Sequence, residues 1–167
     1  MLYPCSILKG DSSKALHYGI AFANKWQNTD TGAKVIHIGK NTSSEVVSKS
    51  LSKNGGVSIY RGLVDIKKSA TGSVSKVDCD GLILDSISRS DTIPDIRVAT
   101  NDALVAHEAS VGKISEEALF YLMSHGIPED EAKTLIVRWF VSPLMKELPL
   151  EYAAEMNILI AMEMEGM

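Results

Sequence analysis

Short runs that alternate between apolar and polar residues fill the first 112 positions of the chain. They are rich in β-branched residues, and turn signals such as "NTDTG" and "SKNGG" separate them, which is typical of β-strands. Eight strands are predicted, over the sequences SILKG, ALHYGIAFA, AKVIHIG, SEVVSKS, GVSIYRGLVDI, SKVDCDGLILD, DIRVA and ALVAHEA. A helix remains possible only for "SSKALHYGIAFANKW". A sandwich, a barrel and a β-solenoid all fit this spacing, since no clean internal repeat decides between them.

The pattern changes to a helical one near Gly112. Ser115 is a good N-cap for a first helix and Gly126 a good stop. Pro128 suits the first position of a second helix, which Pro143 is expected to interrupt, and Pro149 opens a third. We therefore expect a β core over residues 1–112 and a helical C-terminal subdomain over residues 113–167.

Composition narrows the class of protein. With 45% hydrophobic residues in 167, the chain can bury a sizeable core. A net charge of −4 and a pI near 5.6 argue against a binder of nucleic acid. No apolar run is long enough for a membrane span, and two distant cysteines, Cys5 and Cys79, suit a reducing compartment. The composition predicts a cytoplasmic protein that binds neither membranes nor nucleic acid.

Two enzyme motifs fail on inspection. The sequence Gly39-Lys40-Asn41 has no glycine five residues upstream and lacks the hydroxyl that a P-loop needs, so we expect no bound nucleotide. The "HEASV" sequence starts like a zinc-protease helix, but Val111 stands where the second histidine belongs. We expect a protein that is not an enzyme.

Cys79 is the residue whose chemistry the pattern leaves open. Strand alternation places it on the opposite face from Asp78 and Asp80. A buried, inert thiol is the simpler interpretation, since the flanking carboxylates disfavour a thiolate unless a cation or metal is near. A lone histidine such as His107 is also more often structural. Cysteine, histidine and glutamate, here Cys79, His107 and Glu108, are nonetheless side chains that hold iron or zinc.

Four blocks carry a family resemblance that covers nearly the whole chain. They are "QNTDTGAKVIHIGKNTSSEVVSKSLSKNGGVSIYRGLV", "CDGLILDSISRSDTIPDI", "AHEASVGKISEEALFYLMSHGI" and "KELPLEYAAEMN". In order and spacing they closely resemble the C-terminal part of the SufB/SufD family of iron-sulfur cluster assembly scaffolds, in its SufB-like form. The resemblance implies a mainly β fold, a right-handed parallel β-helix followed by a small α-helical C-terminal subdomain.

The resemblance also implies roles for particular residues. Cys79 matches a cysteine of the family regarded as a site of sulfur reception and nascent cluster ligation. His107 matches a histidine thought to supply a ligand at the interface of the SufB/SufD pair, and Glu108 matches the glutamate of the "HEA" motif. The implied cofactor is a transient iron-sulfur cluster. The implied partners are a SufC-type ATPase, docked by the helical subdomain, and a SufD-like protein or a second copy, bound through the β-helix.

Two functions therefore stay open. The chain is either a scaffold that collects sulfur and iron through Cys79, His107 and Glu108, or a truncated adaptor that binds SufC- or SufD-like partners without holding a cluster. The sequence starts at a point that corresponds to the middle of a usual family member, so we expect either a fragment or a short paralogue. A thiol enzyme built on Cys79 and His107 is a distant third, because nothing marks an oxyanion hole or an orienting group.

Overall fold

The computed structural model describes residues 1–164, and these form eight strands followed by three helices. The strands are β1 Cys5–Leu8, β2 Lys14–Ala23, β3 Asn28–His37, β4 Ser43–Ser52, β5 Val57–Ile66, β6 Ser73–Ile83, β7 Arg89–Val98 and β8 Ala103–Lys113; the helices are α1 Glu116–Ser124, α2 Glu129–Met145 and α3 Leu150–Met164. All eight predicted strands form. The helical alternative for the "SSKALHYGIAFANKW" stretch is wrong, since β2 occupies it.

The strands build a parallel β-solenoid of about four turns. Odd-numbered strands form one sheet in the order β1-β3-β5-β7, and even-numbered strands form a second in the order β2-β4-β6-β8. Val57 of β5, for example, pairs in parallel with Asn28 of β3 and with Arg89 of β7. The mainly β, parallel β-helix fold with helices at its C-terminal side is thereby confirmed.

Polar side chains line part of the solenoid interior. His37 is fully buried, and its Nδ1 and Nε2 lie 2.8 Å from the Thr42 hydroxyl and 2.9 Å from the Ser44 hydroxyl. On the next rung Ser73 and Ser75 continue these contacts at 2.7 and 2.8 Å. Because these buried groups bond to one another, the interior accepts them at little cost. Inward-facing serines and threonines also explain why the rungs showed no clean apolar repeat.

The chain divides into two compact units after Gly112. In the helical unit, Ser115 caps α1 as expected and accepts a hydrogen bond from the Ala118 amide at 3.1 Å, while Gly126 ends the helix with a φ of +85°. Pro128 is the N-cap of α2 rather than its first residue.

The expected interruption at Pro143 is wrong, because α2 continues through it to Met145. Proline removes one helical hydrogen bond, which normally favours a break. Here Val141 and Leu144, on either side of Pro143, are almost fully buried, so packing holds the last turn in helical form. Within residues 1–164, no helix is both long and apolar enough to cross a membrane.

Candidate functional site

Cys79 lies on the inner face of β6. Val77, Cys79 and Gly81 all point inward and are buried, whereas Asp78 and Asp80 between them are partly exposed on the outer face. The exposed fraction of Cys79 is only 2%, and on the neighbouring rung it pairs in register with Ser48 of β4. The alternation predicted for this strand is therefore what places the thiol inside the solenoid.

The surroundings of Cys79 keep its thiol protonated. Burial raises its pKa to about 12, and the nearby carboxylates of Asp80 and Asp78 add to the rise, while the Tyr60 hydroxyl opposes it. Removing an anion from water is costly, so a buried thiol resists ionisation. At neutral pH the resting chain carries a neutral thiol at this position.

Asp80 is held as an anion on the outer face by two contacts. Burial alone would raise the pKa of Asp80, but hydrogen bonds from the Lys49 ammonium and the Ser110 hydroxyl outweigh it and leave that pKa below its ordinary value. Its negative charge therefore persists next to Cys79 and helps to keep the thiol neutral.

Tyr60, on β5, is a site residue that sequence reasoning missed. Its exposed fraction is 6%, and burial first, then Cys79, raises its pKa. A Cβ at Gly62 would come within 2.9 Å of the Tyr60 ring, so the glycine leaves the space that the ring fills. The signal was present in "SIYRG", where an inward tyrosine is followed on the same face of the strand by glycine.

His107 lies on β8, on the face that Ala103 and Val105 pack against the core. Its Nε2 atom is buried and has no hydrogen-bond partner among the described residues. Together with Tyr60 and Val77 it lines a cavity of about 10 Å³. The structure therefore brings His107 into the same interior region as Tyr60 and the strand that carries Cys79.

Glu108 lies on the other face of the sheet. It is exposed, and its charge contributes to raising the pKa of Lys76, whose main partner is Asp78. Adjacent residues of a strand point to opposite faces, so His107 and Glu108 cannot both turn inward. Glu108 belongs to a charged patch outside the solenoid.

The three predicted ligands are thus not gathered at one point. Within residues 1–164, no group of three or more histidine, cysteine, aspartate or glutamate side chains is arranged to hold a metal ion. The ligand set of Cys79, His107 and Glu108 stays a prediction. The other thiol, Cys5, is free and exposed on β1.

Comparison with known proteins identifies the family. Residues 1–140 match the family described as "SUF system FeS cluster assembly, SufBD core domain". The chain is similar to the iron-sulfur cluster assembly protein SufB of Bacillus subtilis, with 52% identity over 99% of the chain and 36% of that protein. It is 55% identical to a SufBD family protein of Staphylococcus epidermidis, again over 99% of the chain and 36% of the relative.

A third relative is much longer. The similarity to a SufBD family protein of Mycobacterium tuberculosis is 51% identity over 99% of the chain but only 20% of that protein. The chain thus spans about a third or less of the length of these curated relatives. The match over residues 1–140, the parallel solenoid and these identities together establish that the chain belongs to the SufBD family of iron-sulfur cluster assembly proteins.

Proposed function

We propose that the chain is a SufB-like part of an iron-sulfur cluster assembly scaffold, which receives sulfur on Cys79 and is not itself an enzyme. The observation that carries the proposal is the position of Cys79 in the solenoid interior, with the unpaired Nε2 of His107 in the same region. Because the resting thiol is protonated, it bonds to a metal or to donated sulfur only when it loses its proton, either on metal binding or to the thiolate that leaves the sulfur donor. The cluster is cargo, held transiently and passed on.

A second chain supplies the ligands that one chain lacks. One cysteine, one histidine and one outward glutamate are few donors for a multi-iron cluster. β7 and β8 end their sheets within the described residues, and both carry exposed apolar side chains, such as Ile93 and Leu104. Exposed strand edges favour pairing with another chain. A second copy or a SufD-like partner at these strands would bring its own donors towards Cys79 and His107.

The helical unit provides the docking surface for a SufC-type ATPase. Large apolar side chains are exposed on its helices, among them Phe120, Trp139 and Tyr152. Residues 113–167 carry 10 acidic against 4 basic residues, which would steer a basic patch of the partner. Hydrolysis of the nucleotide belongs to that ATPase, and the assembly works in the reducing cytoplasm, where free thiols persist.

A second candidate function is an adaptor that binds these partners without holding a cluster. What favours it is the separation of the ligands, with Cys79 and His107 inside and Glu108 outside the solenoid. In that case the two interior residues only fill and order the core.

Purification without oxygen separates the two functions. The scaffold should carry iron and acid-labile sulfide and absorb visible light after reconstitution with iron and a sulfur donor. Cys79→Ala should lose most of this material, and Cys5→Ala should retain it, because Cys5 is exposed on β1 and far along the chain from the proposed ligands. The reverse pattern would refute the assignment of Cys79, and a chain that never holds iron or sulfide would favour the adaptor.

A further inference from the structure

Two residues that line the same small cavity of the β unit each carry a buried polar atom without a hydrogen-bond partner. These atoms are the Tyr60 hydroxyl and the Nε2 of His107, and neither has a hydrogen-bond partner among the described residues. The cavity that both residues line measures about 10 Å³, which is roughly the space of one water-sized atom. Buried polar groups are almost always paired, so both atoms are available to bond a group that enters this cavity.

The position of the Tyr60 ring is constrained by its neighbours. Gly62 faces the ring, and any Cβ there would press on it, which means that this strand is shaped to admit the tyrosine. Leu63 and Val64 line the same cavity, as do the polar residues Asp95 and His107. Because Tyr60 is almost fully buried, a hydrogen bond from its hydroxyl is stronger than it would be in water.

Tyr60 also connects the cavity to Cys79. Tyr60 and Cys79 belong to one cluster of packed buried residues, and each group raises or lowers the pKa of the other. A sulfur atom added to Cys79 would extend the side chain by one bond length. Cys79 does not itself line the cavity, and the added sulfur would lie between the Cys79 side chain and the Tyr60 hydroxyl.

We propose that Tyr60 is a sulfur-binding residue, whose hydroxyl donates a hydrogen bond to the sulfur transferred onto Cys79. The inference deepens the proposed function and rests on it. In the transfer, the Cys79 thiol gives up its proton and its sulfur attacks the terminal sulfur of a persulfide, R–S–SH. A new S–S bond forms on Cys79, the old one breaks, and R–S⁻ takes up the Cys79 proton and leaves as R–SH, while the donor's own S–H proton remains on the transferred sulfur. Loss of that proton would give an anion, which Tyr60 then stabilises as the donor.

The test uses the full chain with Cys5→Ser, so that Cys79 is the one thiol that can carry sulfur. Cysteine persulfide is the probe, added without oxygen and renewed over days because the resting thiol is rarely ionised, and the excess is removed by desalting. Intact mass then follows the chain that is heavier by one sulfur atom. Tyr60→Phe keeps the ring and removes only the hydroxyl. Glutathione is then added as the acceptor thiol, and we expect this variant to transfer its bound sulfur to it at least about ten times faster, the effect of losing a hydrogen bond to a charged group.

Stability distinguishes this role from a structural one. Because the hydroxyl is unpaired in the resting chain, Tyr60→Phe should melt at the same temperature or higher. Tyr121→Phe, at an exposed tyrosine of α1, is the matched control and should change neither property. Equal sulfur retention in Tyr60→Phe overturns the proposal, and so does faster loss accompanied by a clear drop in melting temperature. If the Cys5→Ser chain takes up no sulfur at all, the proposed function fails and this inference fails with it.

Discussion

The resting thiol of Cys79 should be almost unreactive towards alkylation, although the same residue is proposed to receive sulfur. With a pKa of about 12, about one thiol in ten thousand is ionised at about pH 8, whereas an ordinary cysteine with a pKa near 8.5 is about one quarter ionised. Only the thiolate attacks an alkylating agent. Ionisation alone therefore predicts a rate about a thousand-fold below that of an ordinary thiol, and burial of the sulfur slows it further.

The assay is labelling with iodoacetamide, followed by intact mass, on the Cys5→Ala and Cys79→Ala variants. The Cys79→Ala chain reports on exposed Cys5 and should label within minutes. The Cys5→Ala chain reports on Cys79 and should label over days, with a rate that rises about ten-fold per pH unit and shows no plateau below about pH 10. In concentrated urea the two variants should label equally, because the surroundings that raise the pKa are then lost.

Labelling of native Cys79 at a rate within about thirty-fold of that of Cys5 near pH 8, or a rate that levels off near pH 8.5, would contradict this prediction. Either result would mean that burial and the charges of Asp78 and Asp80 do not hold the thiol neutral. The chain would then present an activated cysteine before any donor or metal arrives.

Three further predictions address the interior, the assembly and the ATPase. His37→Ala should lower the free energy of unfolding by roughly 3 kcal/mol in urea, from two lost hydrogen bonds and the space left by the ring. Since burial lowers the pKa of His37, the wild-type chain should be fully stable above about pH 6.5 and lose stability below it, more steeply than the variant. Light scattering at tens of micromolar should give at least a dimer when a cluster is bound; a monomer that holds the cluster would remove the two-chain proposal. Trp139→Ala should weaken binding of a SufC-type ATPase about ten-fold or more, and Trp26→Ala should not, although both indoles are exposed. Added salt should weaken the binding of the wild-type chain. Equal effects of the two variants would contradict docking on the helices.

The strands could be predicted from the sequence because apolar and polar side chains alternate clearly along each short strand. β6 is the clearest case, with Ser75, Val77 and Cys79 buried and the residues between them more exposed. The choice of a solenoid could not be reached from the same pattern, since His37 and its serine and threonine neighbours occupy inward positions that a hydrophobic pattern counts as polar. Only the family resemblance selected the fold. The continuation of α2 through Pro143 could not be predicted either, because burial of the flanking residues outweighed the tendency of proline to interrupt a helix.

The candidate site was predictable in part for the same reason. Cys79 could be predicted as a candidate site residue from its residue type and its position in a strand, and its inward orientation followed from period-two alternation. Tyr60 could not be predicted in this way, because its role in the site depends on a glycine on its own strand and on a cysteine of the opposite sheet, 19 residues further along the chain. Contacts across the interior of a solenoid join residues that no local pattern relates.

The same alternation limits what a single chain can do with the "HEA" motif. His107 turns towards the core and Glu108 towards the outer charged patch with Lys76 and Asp78, so one metal ion cannot be held by both residues from the same direction. β8 is the last strand of its sheet within the described residues, so only at its free edge are the inner and outer faces of the sheet next to each other. A cluster bound near that edge could be approached by Glu108 only from outside. Under the two-chain proposal, a partner's strand laid along β8 would close that approach and supply donors from its own inner face, and assembly would then precede cluster binding.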